Sequence, residues 1–303
     1  MFTIFLAIAP VFALILMGYG LRRGGIPSTK FWNLNDRLVY WVLMPALFFA
    51  KISAADLSGG LGDYALLLYA GFFAAILCGW LFGRAYAAPQ ASSLLQGSAR
   101  FNTFIGLAIA EAVFGTAGLQ IAVLGSALLV PVVNVTVVTL MTRQLGGGGK
   151  SILKGLVKNP LILGILAGVL FNFAGLHEVP VLHESARILG DAALPIMLLC
   201  VGANLRLRGL SGSVSVIGLS IVGKHLVNPL AVLLAALVLT PAPLTLQIAL
   251  IFAALPTGVA SYTLAREMRG DAPLMAAIIT TQTLLSFFTL PLTLYLGSLI
   301  SAP

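Results

Sequence analysis

Long apolar runs dominate the chain, and polar residues are largely confined to the short gaps between them. Ten runs approach or exceed the roughly 20 residues that an α-helix needs to cross a bilayer; they lie at 2–21, 33–53, 63–84, 92–115, 119–143, 156–175, 184–204, 211–240, 244–266 and 273–299. This pattern predicts an all-α, polytopic membrane protein with ten transmembrane helices, numbered here as spans 1 to 10. Because no small-residue cleavage site precedes Arg22, we interpret the first span as a retained helix and not as a signal peptide.

Charged residues between the spans alternate in sign along the chain. The odd-numbered loops carry cations, namely Arg22, Arg23, Lys30, Arg84, Arg143, Lys150, Lys154, Lys158, Arg206, Arg208, Arg266 and Arg269. The even-numbered loops carry acids, namely Asp56, Asp63, Glu178 and Glu184. Cytoplasmic loops of membrane proteins are enriched in Lys and Arg. We therefore expect a multi-pass protein of the inner (plasma) membrane with odd loops in the cytoplasm and both termini outside.

An internal repeat with an offset of 150 residues links the two halves. It is defined by matching prolines, glycines and an arginine: Pro10 and Pro160, Gly18 and Gly168, Gly25 and Gly175, Arg37 and Arg187, and Pro45 and Pro195. Five spans separate the copies, and an odd number gives them opposite orientations in the membrane. The prediction is a five-plus-five inverted repeat, a common build of secondary transporters. Its parts are a first repeat at 1–143, a cytoplasmic linker at 144–155 and a second repeat at 156–303.

Composition narrows the class of protein further. Of 303 residues, 59% are hydrophobic and only 9% are charged, which points to lipid as the solvent. The net charge of +8 does not indicate nucleic-acid binding, because the cations form no continuous stripe. They lie instead in the short loops between the spans. Cys78 and Cys200 lie inside apolar runs and predict neither a disulfide nor a metal site. Catalytic motifs are missing, so we expect no enzyme, no cofactor and no metal.

Spans 4 and 9, the fourth of each half, are interrupted by residues that weaken helices. Proline removes a backbone donor, and unwound backbone inside a membrane is tolerated only against protein or a wet cavity. Freed N–H groups at half-helix N-termini attract anions. These two segments therefore predict a central substrate site formed by Asn102, Thr103, Pro256, Thr257, Gly258 and Ser261. The alternative for each is a proline kink or a glycine packing contact.

Other polar groups lie within the spans. Lys224 is near the middle of span 8, where an unpaired ammonium is costly, so we expect either a functional charge or a structural ion pair. Arg100 and Glu111 in span 4 are eleven residues apart, which is too far for a direct pair. Asn134 of span 5 is either a ligand or an interhelical hydrogen-bonding residue, and for Gln282 of span 10 the structural role is favoured.

These residues resemble the auxin efflux carrier family, in its bacterial branch, within the superfamily of bile-acid/sodium symporter-like transporters. The resemblance covers essentially the whole chain and rests on ordered motifs: Asn102–Gly106, Phe114–Gly115, Asn159–Pro160, Leu194–Pro195, Ala254–Gly258 and Leu264–Glu267. It implies a scaffold domain and a transport domain that move past one another, with spans 4 and 9 crossing where organic anions bind. The long central loop of plant members is absent, which argues against auxin as the substrate.

By this resemblance, Asn102, Thr257 and Gly258 map onto the crossing, Asn134 faces it and Lys224 matches a basic position of span 8. The resulting hypothesis is an alternating-access, elevator-like carrier of a small organic anion, most simply a carboxylate. Half-helix dipoles would hold the carboxylate, Asn102 and Asn134 would donate hydrogen bonds, and Lys224 would supply a fixed charge. Arg100 and Glu111 are the other charged candidates for coupling.

Alternatives remain open at this stage. A sodium- or proton-coupled symporter or exchanger could use the same scaffold, although no acidic pair occupies the membrane centre. A non-transporting membrane sensor and a membrane-embedded enzyme are further hypotheses. The expected partners are the organic anion and the lipid bilayer, not nucleic acid, and a homodimer is left open.

Overall fold

The computed structural model describes residues 2–55, 61–145, 159–176, 179–206 and 213–300, and every regular element within them is a helix. This confirms the all-α prediction for that part of the chain. Several residues used in the sequence argument lie outside the described ranges: Asp56, Lys150, Lys154, Lys158, Glu178 and Arg208, together with linker residues 146–155. Gln144 and Leu145, which were assigned to the linker, are helical.

The first half of the chain forms α1 (Phe2–Arg23), α2 (Thr29–Leu38), α3 (Met44–Ser53), α4 (Leu61–Gly83), α5 (Ala88–Ala99) and α6 (Thr103–Leu145). The second half forms α7 (Pro160–Phe173), α8 (Leu182–Ala203), α9 (Val214–Ile221), α10 (Asn228–Leu239), α11 (Pro243–Ala254), α12 (Ala260–Glu267) and α13 (Ala272–Ile300). Two π-helical turns make α2 continuous with α3, at Val39–Leu43, and α9 continuous with α10, at Val222–Val227.

Six helical stretches among the described residues are long and apolar enough to cross a membrane: Phe2–Arg23, Leu61–Gly83, Ala88–Leu145, Leu182–Ala203, Val214–Leu239 and Ala272–Ile300. The other predicted spans fall on shorter or interrupted helices. Spans 4 and 5 share α6, which bends at Gly115 with a φ of 63°, a conformation that glycine adopts without strain. These helices make the chain a multi-pass membrane protein.

Local sequence signals mark several helix starts. The Asn159 side chain accepts a hydrogen bond from the Leu161 N–H at 3.0 Å at the start of α7, and Ser28 caps α2 by accepting from Phe31 at 3.2 Å. Such caps satisfy backbone donors that the first helical turn leaves open. Prolines in the first turn of α5, α7 and α11 cost no hydrogen bond there.

Two helix pairs make the closest backbone contacts in the bundle. In α1, a Cβ on Gly18 would overlap the Leu199 carbonyl of α8. In α7, a Cβ on Gly168 would lie 2.9 Å from the Ile52 Cβ and 3.2 Å from the Phe49 carbonyl oxygen of α3. Leu199 and Phe49 are themselves 150 residues apart, as are Gly18 and Gly168. The partners of these two glycines are therefore separated by the same 150 residues as the glycines themselves.

The remaining helices enclose α5 and α11, which precede the interruptions predicted in spans 4 and 9. Helix α5 packs against α4, α6 and α9, and α11 packs against α4, α10 and α13. Residues Ala91–Ala99 of α5 are all buried, as are Leu246–Ala254 of α11. The breaks therefore lie inside protein and not against lipid, as membrane-embedded irregular backbone requires.

Close packing at Gly18 can be tested with two alanine variants. Gly18→Ala forces α1 away from the Leu199 backbone, and overpacking of this kind costs about 1–3 kcal/mol, so we expect a lower melting temperature for the purified protein. Gly20→Ala is the matched control, because nothing lies within 4 Å of its Cβ position and alanine is the better helix former. A Gly18→Ala protein that melts at or above the wild-type temperature contradicts this packing.

Candidate functional site

The two interrupted helices meet at their breaks. Backbone leaves helical geometry at Arg100–Asn102, between α5 and α6, and at Leu255–Val259, between α11 and α12. The Asn102 N–H donates to the Pro256 carbonyl at 2.8 Å. A Cβ on Gly258 would lie 2.7 Å from the Phe101 carbonyl oxygen, so glycine permits the close approach. The structure thus brings Asn102, Pro256 and Gly258 together.

Gln282 of α13 fastens this junction. Its Oε1 accepts from the Thr257 N–H at 3.0 Å and lies 2.8 Å from the Thr257 hydroxyl. Its Nε2 donates to the Gly97 carbonyl at 2.9 Å and to the Ser220 hydroxyl at 3.3 Å. The Thr257 hydroxyl also lies 3.0 Å from the Gly97 carbonyl oxygen. One amide therefore satisfies freed backbone groups of both interrupted helices, and these contacts agree with the structural role favoured for Gln282.

A cavity of about 1330 Å³ lies beside the junction. Its walls come from the ends of α1, α2 and α8 on one side and from α6, α12 and the two breaks on the other. Five predicted site residues line it: Arg100, Asn102, Thr103, Asn134 and Gly258. The other five do not: Pro256, Thr257 and Ser261 are buried behind it, Lys224 lines a separate small cavity, and Glu111 is exposed on α6.

The cavity wall is strongly cationic. Six arginines line it, namely Arg22, Arg37, Arg100, Arg206, Arg266 and Arg269, against the two carboxylates of Asp36 and Glu267. Asp36 is partly engaged, because Asn204 donates to it at 2.8 Å. An excess of one charge in a cleft concentrates ions of the opposite sign. Four of these arginines, Arg22, Arg206, Arg266 and Arg269, were assigned from the sequence to odd-numbered loops on one side of the membrane, whereas Arg37 and Arg100 were not linked to them.

Two helix N-termini also face the cavity. The Asn102 Oδ1 caps α6 by accepting from the Phe104 and Ile105 N–H groups at 3.1 and 3.3 Å. Helix α12 starts after Val259 without a side-chain cap, and Val259 and Ala260 line the cavity. The positive end of a helix dipole favours anions, so both termini add to the charge of the arginines.

Asn134 contacts Arg100 and the backbone of its own helix. Its Oδ1 accepts from the Arg100 Nη2 at 3.2 Å, and its Nδ2 donates to the Val130 carbonyl at 2.9 Å within α6. The sequence hypothesis had Asn134 donate to the substrate. In the structure one of the two N–H groups of that amide is bound to its own helix, and the amide oxygen binds the Arg100 guanidinium; donation to a substrate through the second N–H stays a prediction.

Lys224 lies in the π-helical turn between α9 and α10 and is fully buried. Its Nζ is 3.5 Å from the Phe252 carbonyl oxygen and 5.9 Å from the centre of the Phe101 ring. Within the described residues, both salt bridges belong to Arg187 on α8, so the ion pair considered for Lys224 is not found there. Phe101 lines both the Lys224 cavity and the large one, and it separates the ammonium from the arginines.

Comparison with known proteins identifies the class. A family model described as "Membrane transport protein" matches residues 3–152 and 148–294. An "Uncharacterized transporter" of Methanothermobacter thermautotrophicus is 28% identical over 93% of this chain and 94% of its own length. A "Putative malonate transporter" of Rhizobium meliloti is 29% identical over 95% and 94%. A further "Uncharacterized transporter", from Methanocaldococcus jannaschii, is 24% identical over 93% and 95%.

The role of Gln282 can be tested by removing its amide. Gln282→Met keeps the length of the side chain but leaves the Thr257 N–H without its acceptor, and each buried polar group left unpaired costs about 1–3 kcal/mol. We expect a clear drop in melting temperature. Gln120→Met, at an exposed position of α6, serves as the control and should melt like the wild type. Equal melting of the two variants would show that Gln282 does not hold the junction.

Proposed function

The chain belongs to the auxin efflux carrier family of membrane transport proteins, and on that premise we propose that it carries a small organic anion, a carboxylate, across the membrane by alternating access. The observation that carries this proposal is the junction of two broken helices beside a cavity lined by six arginines. The substrate would bind where the junction meets the cavity, beside Asn102 and Gly258.

The charge of the site favours an anion over a cation. The α6 and α12 N-termini and Arg100 all act on the same face of the cavity, whereas a cation would need carboxylates or free carbonyls there. The Pro256 carbonyl is already taken by the Asn102 N–H. The name of the Rhizobium meliloti relative, a "Putative malonate transporter", supports a carboxylate.

Matching helix contacts support a mechanism in which two bodies move past each other. We assign α1, α2–α3, α7 and α8 to a scaffold, because the pairs α1–α8 and α3–α7 pack through glycines at equivalent repeat positions. The other helices form a transport body that carries the junction. On the same contacts we place an inverted repeat at 1–143 and 156–303, joined by the linker at 144–155; the two segments matched by the family model also meet near residue 150.

The arginines of the cavity indicate the side of the membrane to which this conformation of the proposed carrier opens. Four of its arginines, Arg22, Arg206, Arg266 and Arg269, belong to odd-numbered loops, which the positive-inside rule assigns to the cytoplasm. On that assignment both termini are outside and this conformation faces inward. An elevator movement of the transport body would then carry the junction toward the outer side.

Lys224 supplies a fixed positive charge behind Phe101. An ammonium buried without a carboxylate partner among the described residues would offset part of the charge of a bound anion as the transport body moves. This is the role that a bound cation has in an ion-coupled carrier. We therefore propose that transport is driven by membrane potential or protons and does not require sodium.

Reconstitution tests this proposal. Proteoliposomes should take up radiolabelled malonate at the same rate with sodium or with potassium outside at a fixed membrane potential. Lys224→Met should slow uptake severalfold, because the anion then crosses a low-dielectric region without its counter-charge. Lys30→Met, at an exposed position in the first turn of α2, is the control. Strict sodium dependence would favour the symporter alternative, and wild-type flux in Lys224→Met would remove the role of Lys224.

A further inference from the structure

Arg100 stands at the break of the first interrupted helix with half of its guanidinium uncommitted. The residue follows α5 in extended backbone, with a ψ of 153°, and its side chain lines the large cavity. Nη2 donates to Asn134, whereas Nη1 is buried and has no hydrogen-bond partner among the described residues. Asn134 is a neutral partner, so the charge of Arg100 is not compensated by it.

Asn102 provides a second uncommitted donor two residues along the chain. Its side chain is only 2% exposed. Oδ1 caps α6, but Nδ2 has no hydrogen-bond partner among the described residues. A buried polar group without a partner is destabilising, and both such groups line the same cavity. Their geometry points to a ligand that accepts hydrogen bonds, and the charge of Arg100 points to an anion.

Two cationic side chains, Arg100 and Lys224, lie close to the junction on either side of Phe101. Arg100 lies on the cavity side of Phe101 and Lys224 on the other side, 5.9 Å from the centre of the Phe101 ring. The carboxylates that line the cavity, Asp36 and Glu267, form no salt bridge with either one. A ligand with two carboxylates could offer one to the Asn102 Nδ2 and the other to the Arg100 Nη1, whereas a monocarboxylate would have to share a single carboxylate between these two donors.

We propose that Arg100 is a specificity-determining residue that selects dicarboxylates over monocarboxylates. One carboxylate binds at the N-terminus of α12 with the Asn102 amide, and the second accepts hydrogen bonds from Arg100. Asn134 is a positioning residue that holds the guanidinium in place. This inference rests on the proposed function, because it names the charge class of the anion that the carrier takes.

Malonate and propionate are suitable probes, since both have three carbons and they differ in one carboxylate. We expect the purified wild-type protein to bind malonate at least about tenfold more tightly than propionate in calorimetric titrations. In Arg100→Gln, malonate affinity should fall by about tenfold or more while propionate affinity changes little, so that the ratio approaches one. Arg100→Lys should restore part of the preference, because it keeps the charge but loses the planar fork.

Arg143→Gln is the matched control, because Arg143 is an exposed arginine of α6 that does not line the cavity; its malonate-to-propionate ratio should stay at the wild-type value. A wild-type ratio in Arg100→Gln, or a wild-type protein that binds propionate as tightly as malonate, overturns the inference and leaves the proposed function standing. If the wild type binds neither acid nor any other organic anion, the proposed function itself fails. If Arg100→Gln does not fold, Arg100→Lys with a wild-type melting temperature replaces it as the test. A malonate-to-propionate ratio below the wild-type value then supports the inference, and a wild-type ratio overturns it.

Discussion

Backbone that leaves helical geometry inside a membrane must find hydrogen-bond partners within the protein, because lipid offers none. This chain meets that constraint by letting its two broken helices satisfy each other. The Asn102 N–H reaches the Pro256 carbonyl at 2.8 Å, and Gln282 serves both Thr257 and Gly97. The close approach at Gly258, the enclosure of α5 and α11 and the position of Arg100 all depend on this junction.

Within the junction, groups whose hydrogen bonds are all made differ from groups that keep an uncommitted donor, and we assign structural roles to the first and binding roles to the second. Thr257 and Gln282 are fully engaged and buried, which suits parts that must stay fixed while a transport body moves. Arg100 and Asn102 each keep one donor without a partner among the described residues, at the wall of a cationic cavity. The junction therefore combines residues that hydrogen bonds hold in place with residues whose donors are available to an anion.

Local signals in the sequence located much of this architecture. Glycine, proline and small polar residues marked both breaks to within a few positions, and the apolar runs indicated a multi-pass membrane protein. The 150-residue offset makes Gly106 the repeat equivalent of Pro256, and the observed backbone contact joins Pro256 to Asn102, about one helical turn before Gly106. The cluster of arginines, the pairing of Asn134 with Arg100 and the separation of Lys224 by Phe101 depend on contacts between distant segments, which spacing along the chain does not encode.

One substitution tests the central claim that the junction is the anion site. Asn102→Asp preserves the oxygen that caps α6, since Asp and Asn cap helices equally well, but it places a carboxylate where the uncommitted amide now lies. The account predicts a melting temperature close to that of the wild type together with a loss of malonate affinity of at least about tenfold, measured by calorimetric titration of the purified protein. Wild-type malonate affinity in a folded Asn102→Asp protein would contradict it.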